Sequence, residues 1–386
     1  MNVNPVLVGL LVSLLFCGCK ARQPALGEPL AHLTREQRAQ FHEGRRLFQR
    51  VFVPEDGLGP LFNANSCAEC HEDPVLGGVG DEVEVHATRF ANPSCDELFD
   101  QGGPVIQQNA TPLLRAKGIE KEKVPPGAAV ARRSTSALFG FGLVDAIPDA
   151  TILFREDPND ANQDGISGRA NRTIDGRIGR FGRKAAVATL LDFNAGAFPQ
   201  EQGVTTPRAP VEETINGLPV PPDTDPAPDP EITIAEIEKV TAFTRFLAPP
   251  PRQDLRNSSD RYLARRGQKL FVDLKCAECH VPVLTTGPSL IAALDRKPVA
   301  LYSDLLLHDM GPDLADICAG LAQPSEFRTE LLIGLRFREQ FLHDGSARTV
   351  LDAIQRHGGE ARYSRDKFKA LRDRDKKAVL KFLETI

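Results

Sequence analysis

"SCAECH", residues 66–71, ends in five letters that return unchanged as "CAECH" at 276–280. The chain has eight cysteines and eight histidines in 386 residues, so a chance Cys-x-x-Cys-His is expected on the order of a few times per thousand such chains. Two identical copies therefore mark a repeated chemical unit. In this spacing one helical turn carries both sulfurs on neighbouring positions and swings the next side chain just past them.

Cys-x-x-Cys-His is the attachment sequence of c-type haem. The thiols of Cys67 and Cys70, and of Cys276 and Cys279, would add across vinyl groups, while His71 and His280 each supply an imidazole to iron. Two covalently bound haem c groups are the expectation. A thioredoxin-like pair would open a helix after a strand in a βαβ pattern, and no β-branched strand run precedes either copy. A four-sulfur zinc site fits poorly with two pairs about two hundred residues apart, each followed by histidine.

The surroundings repeat too. "HEGRRLFQRVF" (42–52) and "ARRGQKLFVDL" (264–274) both place glycine three and four residues ahead of Leu-Phe: Gly44, Leu47, Phe48 and Gly267, Leu270, Phe271. Amphipathic stretches at 236–250 and 375–386 close each half. Residues 207–230 hold eight prolines and several acids, a composition that propagates neither helix nor sheet and predicts an extended loop. The chain thus reads as two haem modules, each opened by one helix and closed by another. Their expected spans are 34–250, including the Pro-rich loop, and 252–386.

Apolar content of 41%, charged content of 26% and a net charge of −5 are ordinary for a globular chain and give no basic footprint for nucleic acid. The uncharged run Val6–Phe16 is too short to span a bilayer but suits an export signal, residues 1–19. Gly18 before Cys19 resembles a bacterial lipoprotein signal, although no Lys or Arg precedes the apolar run; an ordinary cleaved signal is the alternative. The expectation is a periplasmic protein held at the outer membrane by lipid on Cys19. In such an oxidising compartment Cys95 and Cys318 either form a disulfide or remain two buried thiols.

"GLGPLFNANSCAECH", "GLVDAIPDATI", "DGISGRAN", "GRFGRKA", "LYSDLLLHDMGPDLAD", "EFRTELLIGLR" and "FLHDGSARTVLDAIQRHGGEA" together resemble the di-haem oxidoreductase family of exported bacterial c-type cytochromes, peroxidase-like proteins also called thiol oxidoreductases. That family is similar to di-haem cytochrome c peroxidases and to the methylamine dehydrogenase maturation enzyme. The resemblance implies a mainly α fold class, two cytochrome c-like haem domains in tandem with long irregular loops, together with peroxide chemistry at the first haem, electron entry at the second, a small electron-donor protein or quinol-linked donor, and hydrogen peroxide or another small oxidant as acceptor.

By the same resemblance His357 sits where relatives bind the second iron with methionine or tyrosine, which implies a bis-imidazole site of lower potential. A helix-terminal histidine before Gly358 and Gly359 is the alternative. His308, Met310 and His343 match supporting segments, with Met310 a reserve ligand. Near the first haem, His86 is the candidate sixth ligand; without it that position is open. Asp145, with Asp149 second, falls where relatives carry a proton-transferring acid over the iron, or is a helix cap or surface acid. Calcium, which the relatives need near their haems, has a candidate half-loop in Asp160, Asn162, Asp164 and Gly165, but Asn171 stands where the bidentate glutamate belongs, and an Asx-rich turn is the alternative. The chain has no tryptophan, so the maturation enzyme's tryptophan relay is missing in that form. The leading expectation is a peroxide-reducing di-haem oxidoreductase; the other is a two-haem electron carrier with both irons six-coordinate.

Overall fold

The computed structural model describes residues 23–386, so the export signal and Cys19 lie outside the described residues. Among the described residues no helix is long and apolar enough to cross a membrane.

The two halves share one helical device. Arg35–Phe48 starts at a capping box, Thr34 accepting from the Gln37 amide while the Gln37 side chain accepts from Thr34; Ile234–Phe246 starts the same way with Thr233 and Glu236. These helices pack face to face through Phe41, Phe48 and Phe243, whose ring centroids lie 4.9–5.2 Å apart. Their backbones meet at Gly44, where a Cβ would stand 1.9 Å from the carbonyl oxygen of Lys239. In the second half Ser258–Asp273 packs on Asp373–Glu384, and a Cβ on Gly267 would stand 1.9 Å from the oxygen of Ala378. The repeated glycine is thus the crossing point of each helix pair. Gly267→Ala, or Gly44→Ala, must push backbone from backbone and is expected to destabilise by about 1–3 kcal/mol, read as a lower urea midpoint at unchanged slope.

The expected mainly α fold does not hold. Helices make up 32% of the described residues and strands or bridges 14%, so the chain is mixed. The difference lies chiefly in residues 83–134. Val83–Ala91 pairs antiparallel with Ser94–Asp96, Val105–Ile106 and Ala129–Ser134 in a four-stranded sheet. The alternation Val83, Val85, Ala87 against Glu84, His86, Thr88 is a period of two that signals a strand. Elsewhere 31 glycines and 30 prolines keep long segments irregular.

The largest apolar cluster gathers Phe41, Phe243, Ile237 and Leu190 with Val281, Leu301 and Leu305, from both sides of Pro249–Arg252. A second cluster, Phe271, Phe368, Val379, Phe382 and Leu383, is enclosed by the C-terminal helix pair. Cys95 and Cys318 form a disulfide with their Cα atoms 5.7 Å apart, tying the sheet to the C-terminal half.

Candidate haem sites

Each CAECH copy folds as one helical turn followed by histidine leaving the helix. Cys67–Cys70 is capped by Ser66, whose Oγ accepts from the Glu69 amide at 3.2 Å. Beyond it His71 donates from Nδ1 to the Gly78 carbonyl at 3.1 Å. Cys276–Cys279 is followed by His280, donating from Nδ1 to the Tyr302 carbonyl at 3.0 Å. A carbonyl only accepts, so each ring carries its proton on Nδ1 and presents a bare Nε2, the form that binds a metal. Burial holds both imidazoles neutral, pushing His280 down to about 4 and His71 below the usual histidine range. The repeated Leu-Phe supplies the wall: Phe48 lies 5.9 Å from His71 and Phe271 6.4 Å from His280, centroid to centroid.

His357 closes the second site. It ends the helix Val350–Arg356 and donates from Nδ1 to the Ala353 carbonyl at 2.7 Å, again leaving Nε2 bare. With Cys276, Cys279 and His280 it lines a cavity of about 430 Å³, within the range of small-ligand sites. The structure therefore brings together the two histidines that the sequence pairs. His308 is occupied on both nitrogens, by Asp304 (2.9 Å) and Glu360 (2.8 Å), and so acts as a support. Met310 and His343 also line the cavity, and His343 stacks on Phe327 at 4.3 Å.

On the same wall one carboxylate is surrounded by three guanidiniums. Glu330 meets Arg183 (2.9 Å), Arg328 (3.2 Å) and Arg338 (3.2 Å). Burial opposes its charge, but the three guanidiniums hold its carboxyl down at about 2. Arg338 Nε and Thr329 Oγ1 are buried without a partner. A haem brings two propionates. Two thiols, two bare imidazole nitrogens and this unpaired donor set fit one.

The first site differs. His86 gives Nε2 to Glu84 Oε2 at 2.9 Å, so that nitrogen is not free. Glu84 is held in its charged form: burial opposes this, and the His86 contact and the nearby His71 outweigh it. Glu201 is pushed far above the carboxylate range by burial and by Glu84, despite a 3.0 Å bond from Asn63 Nδ2. Gln202 donates to Cys67 Sγ at 3.6 Å, and its Oε1 and Glu82 Oε2 are buried without partners. One carboxylate held ionised and another held protonated beside the same CxxCH form an acid–base pair. Asp145 instead accepts the Leu190 amide at 2.9 Å, and Asp149 pairs with Arg180; neither bond reaches the CAECH turn. Glu84, Glu201 and the arginine trio were not picked out from the sequence. The strand alternation could have put Glu84 and His86 on one face, whereas Glu201, and Arg183 beside Glu330, reach their places only through tertiary packing.

Asp160, Asn162 and Asp164 turn their oxygens onto the amides of Asp164, Gly165 and Ile166 at 2.9–3.2 Å, an Asx-rich turn. Asn171 donates to Lys184 and accepts from Arg172. In and beside the Pro-rich loop, Glu212, Asp225, Asp229 and Glu231 bring oxygens within 4.8 Å of one another. Burial, then mutual repulsion, pushes Glu212 up to about 9; burial also pushes Glu231 up to about 7. A carboxyl raised in the fold contributes its stability below the unfolded value and loses it as pH climbs through the folded one. Glu212→Gln is therefore expected to leave Tm unchanged near pH 4.5 and to raise stability at pH 8 by about 1–2 kcal/mol, one pKa unit being worth about 1.4 kcal/mol and loop relaxation absorbing the remainder.

The family model described as "Di-haem oxidoreductase, putative peroxidase" matches residues 119–386. No curated protein matches the chain. Among solved structures, hydrazine synthase of Kuenenia stuttgartiensis is 16% identical, with all of both chains covered and a TM-score of 0.44. The diheme peroxidase BthA of Burkholderia thailandensis is 17% identical over 90% of this chain and 85% of its own, with a TM-score of 0.42. A MauG-like protein associated with microbial copper homeostasis is 17% identical over 95% and 94%, at 0.40. These three likenesses are loose, and nothing below rests on them.

Proposed function

Because the chain belongs to the di-haem oxidoreductase family, which implies two haem cofactors, we propose that it takes electrons at the His280 site and reduces hydrogen peroxide or another small oxidant at the His71 site. The observation that carries this is the inequality of the two sites. At the second, His280 and His357 both present a bare Nε2 to one cavity. At the first, the candidate partner of His71 is His86, which is tied through Nε2 to Glu84 and has only Nδ1 left to bind, and neither ring lines that cavity. A centre with two imidazoles suits electron transfer; one with a single imidazole leaves a position for an oxidant.

Cys67 and Cys70, and Cys276 and Cys279, would hold the haems as thioethers, with His71 and His280 beneath them. Bound haem supplies a redox-active iron, and peroxide reduction consumes two electrons and two protons to give two waters. The chain's own part is in positioning and proton handling. Gly78 and Tyr302 fix the two ring tautomers. Arg183, Arg328 and Arg338 offer donors to propionates at the second site. Glu201 holds a proton, and Glu84 Oε2, ionised beside His86, is placed to accept one and pass it on. Asp145 is the reserve acid should its Leu190 contact open.

Export supports covalent attachment in this reading. The Val6–Phe16 run and Gly18–Cys19 favour a periplasmic protein tethered to the outer membrane by lipid at Cys19, with a small donor protein or a quinol-linked donor as reductant. The reading assigns calcium no role at 160–165, where the oxygens already accept amides. The test is the denatured mass of the matured protein together with peroxide consumption. The polypeptide mass plus two haems, with turnover, is the expected result; a colourless protein would end the proposal, and two haems without peroxide turnover would favour a carrier.

A further inference from the structure

The charge of the chain is unevenly spread. Residues 34–251 carry 22 basic against 32 acidic side chains, whereas 252–386 carry 23 against 19. Between Arg356 and Lys381 there are ten basic and four acidic residues, and of those four Asp375 is buried against Arg266 (2.5 Å) and Glu360 is engaged by His308. Arg362, Lys367, Lys369, Arg372, Arg374 and Lys377 remain exposed, opposed on the surface by Asp366 and Asp373.

This basic stretch adjoins the second site. Tyr363, 54% exposed, is flanked by two ammonium groups, Lys275 Nζ at 5.5 Å and Lys367 Nζ at 5.3 Å from its ring centroid. Lys275 immediately precedes Cys276, and Lys275, Ala361, Ser364 and Arg365 all line the cavity that holds His280 and His357. An exposed aromatic braced by cations, with a rim of like charge and a redox pocket behind it, has the make-up of an interface anchor.

We propose that Tyr363, Lys275, Lys367 and the exposed cations of the helix Arg362–Lys369 form the landing face for an acidic electron-donor protein. This rests on the reading that electrons enter at the His280 site. The partner's carboxylates meet the lysines and arginines, steering encounter from a distance, and Tyr363 supplies the contact once it is seated. One electron passes, the donor being oxidised and the second centre reduced, with no proton required. The first half, with its acidic excess, repels the same partner and so helps orient it.

The experiment uses the holoprotein and flavodoxin, an acidic one-electron donor. Calorimetry with oxidised flavodoxin is expected to show a Kd that weakens as NaCl rises from 20 to 200 mM, and that weakens about tenfold or more in Arg362→Glu/Lys367→Glu/Lys369→Glu. Tyr363→Ala, which leaves the charges in place, is expected to cost roughly fivefold. In stopped flow, reduction of the second haem by flavodoxin hydroquinone should slow in parallel, while reduction by neutral riboflavin semiquinone stays at the wild-type rate. Wild-type affinity in the triple variant, or no dependence on salt, would overturn the proposal. So would a triple variant that loses only its binding to phosphatidylglycerol vesicles, since the face would then be a membrane surface. If riboflavin reduces the His71 haem first, the electron-entry reading itself fails, and this result is distinct from any change in Kd.

Discussion

His357→Ala is expected to convert the His280 haem from six-coordinate low-spin to five-coordinate high-spin, while the His71 haem keeps its spectrum. Nδ1 is committed to the Ala353 carbonyl at 2.7 Å, so Nε2 is both unprotonated and aimed away from its helix, into the cavity it shares with His280. The alanine leaves no equivalent donor: His308 is held at both nitrogens, His343 turns Nε2 toward Asp316 at 3.5 Å, and Met310 offers only a thioether. His357→Met separates ligand from scaffold. It should stay low-spin and move the potential upward, because a thioether favours the reduced iron relative to imidazole. Optical and paramagnetic spectra of the two variants decide the matter; a His280 haem that looks wild-type in His357→Ala rejects this ligand.

The second large effect is expected at Glu84. Its carboxylate lies 2.9 Å from His86, and that hydrogen bond is the largest influence holding it ionised against burial. Glu201, pushed to the protonated form by burial and by Glu84, completes the pair. Glu84→Gln keeps the shape and removes the base. Peroxide turnover is expected to fall about 10²- to 10⁴-fold, mainly in kcat, with KM and the His280 spectrum little changed. Glu84→Asp should recover part of the loss. A merely structural glutamate would instead give a modest, uniform fall in both parameters, and that pattern would return the role to Asp145 or Asp149.

Much of the site could be read from the chain because its chemistry is local. Two thiols and a histidine within five residues make a recognisable motif whatever the fold around them, and the structure folds each copy as one helical turn followed by its histidine. Gly44 and Gly267 were legible as parts of a repeat, though their function as helix crossing points needed the packed structure. The pairing of His280 with His357 as ligands came through resemblance; the structure shows that both line one cavity.

What was missed depends on distant parts of the chain meeting. The alternation of Val83–Ala91 is legible, but its partner strands are only two to six residues long and carry a weak periodic signal, and the helical haem turns on either side invite a helical reading. Arg328 and Arg338 are near neighbours of Glu330 in the chain, but Arg183 joins them from 147 residues away, and no spacing in the sequence announces that the three guanidiniums surround one carboxylate. Glu201 belongs to a segment more than one hundred residues from the CAECH turn it flanks, so its raised pKa is a property of the fold alone.

The unequal ligation of the two centres is tested most directly by the resting paramagnetic resonance spectrum of the fully oxidised holoprotein, recorded before and after one equivalent of hydrogen peroxide. The account predicts one low-spin signal, from the His280–His357 centre, and one high-spin signal, from the His71 centre, with the high-spin signal alone lost at once on adding peroxide. Two low-spin signals that peroxide leaves untouched would contradict it and mark the protein as an electron carrier.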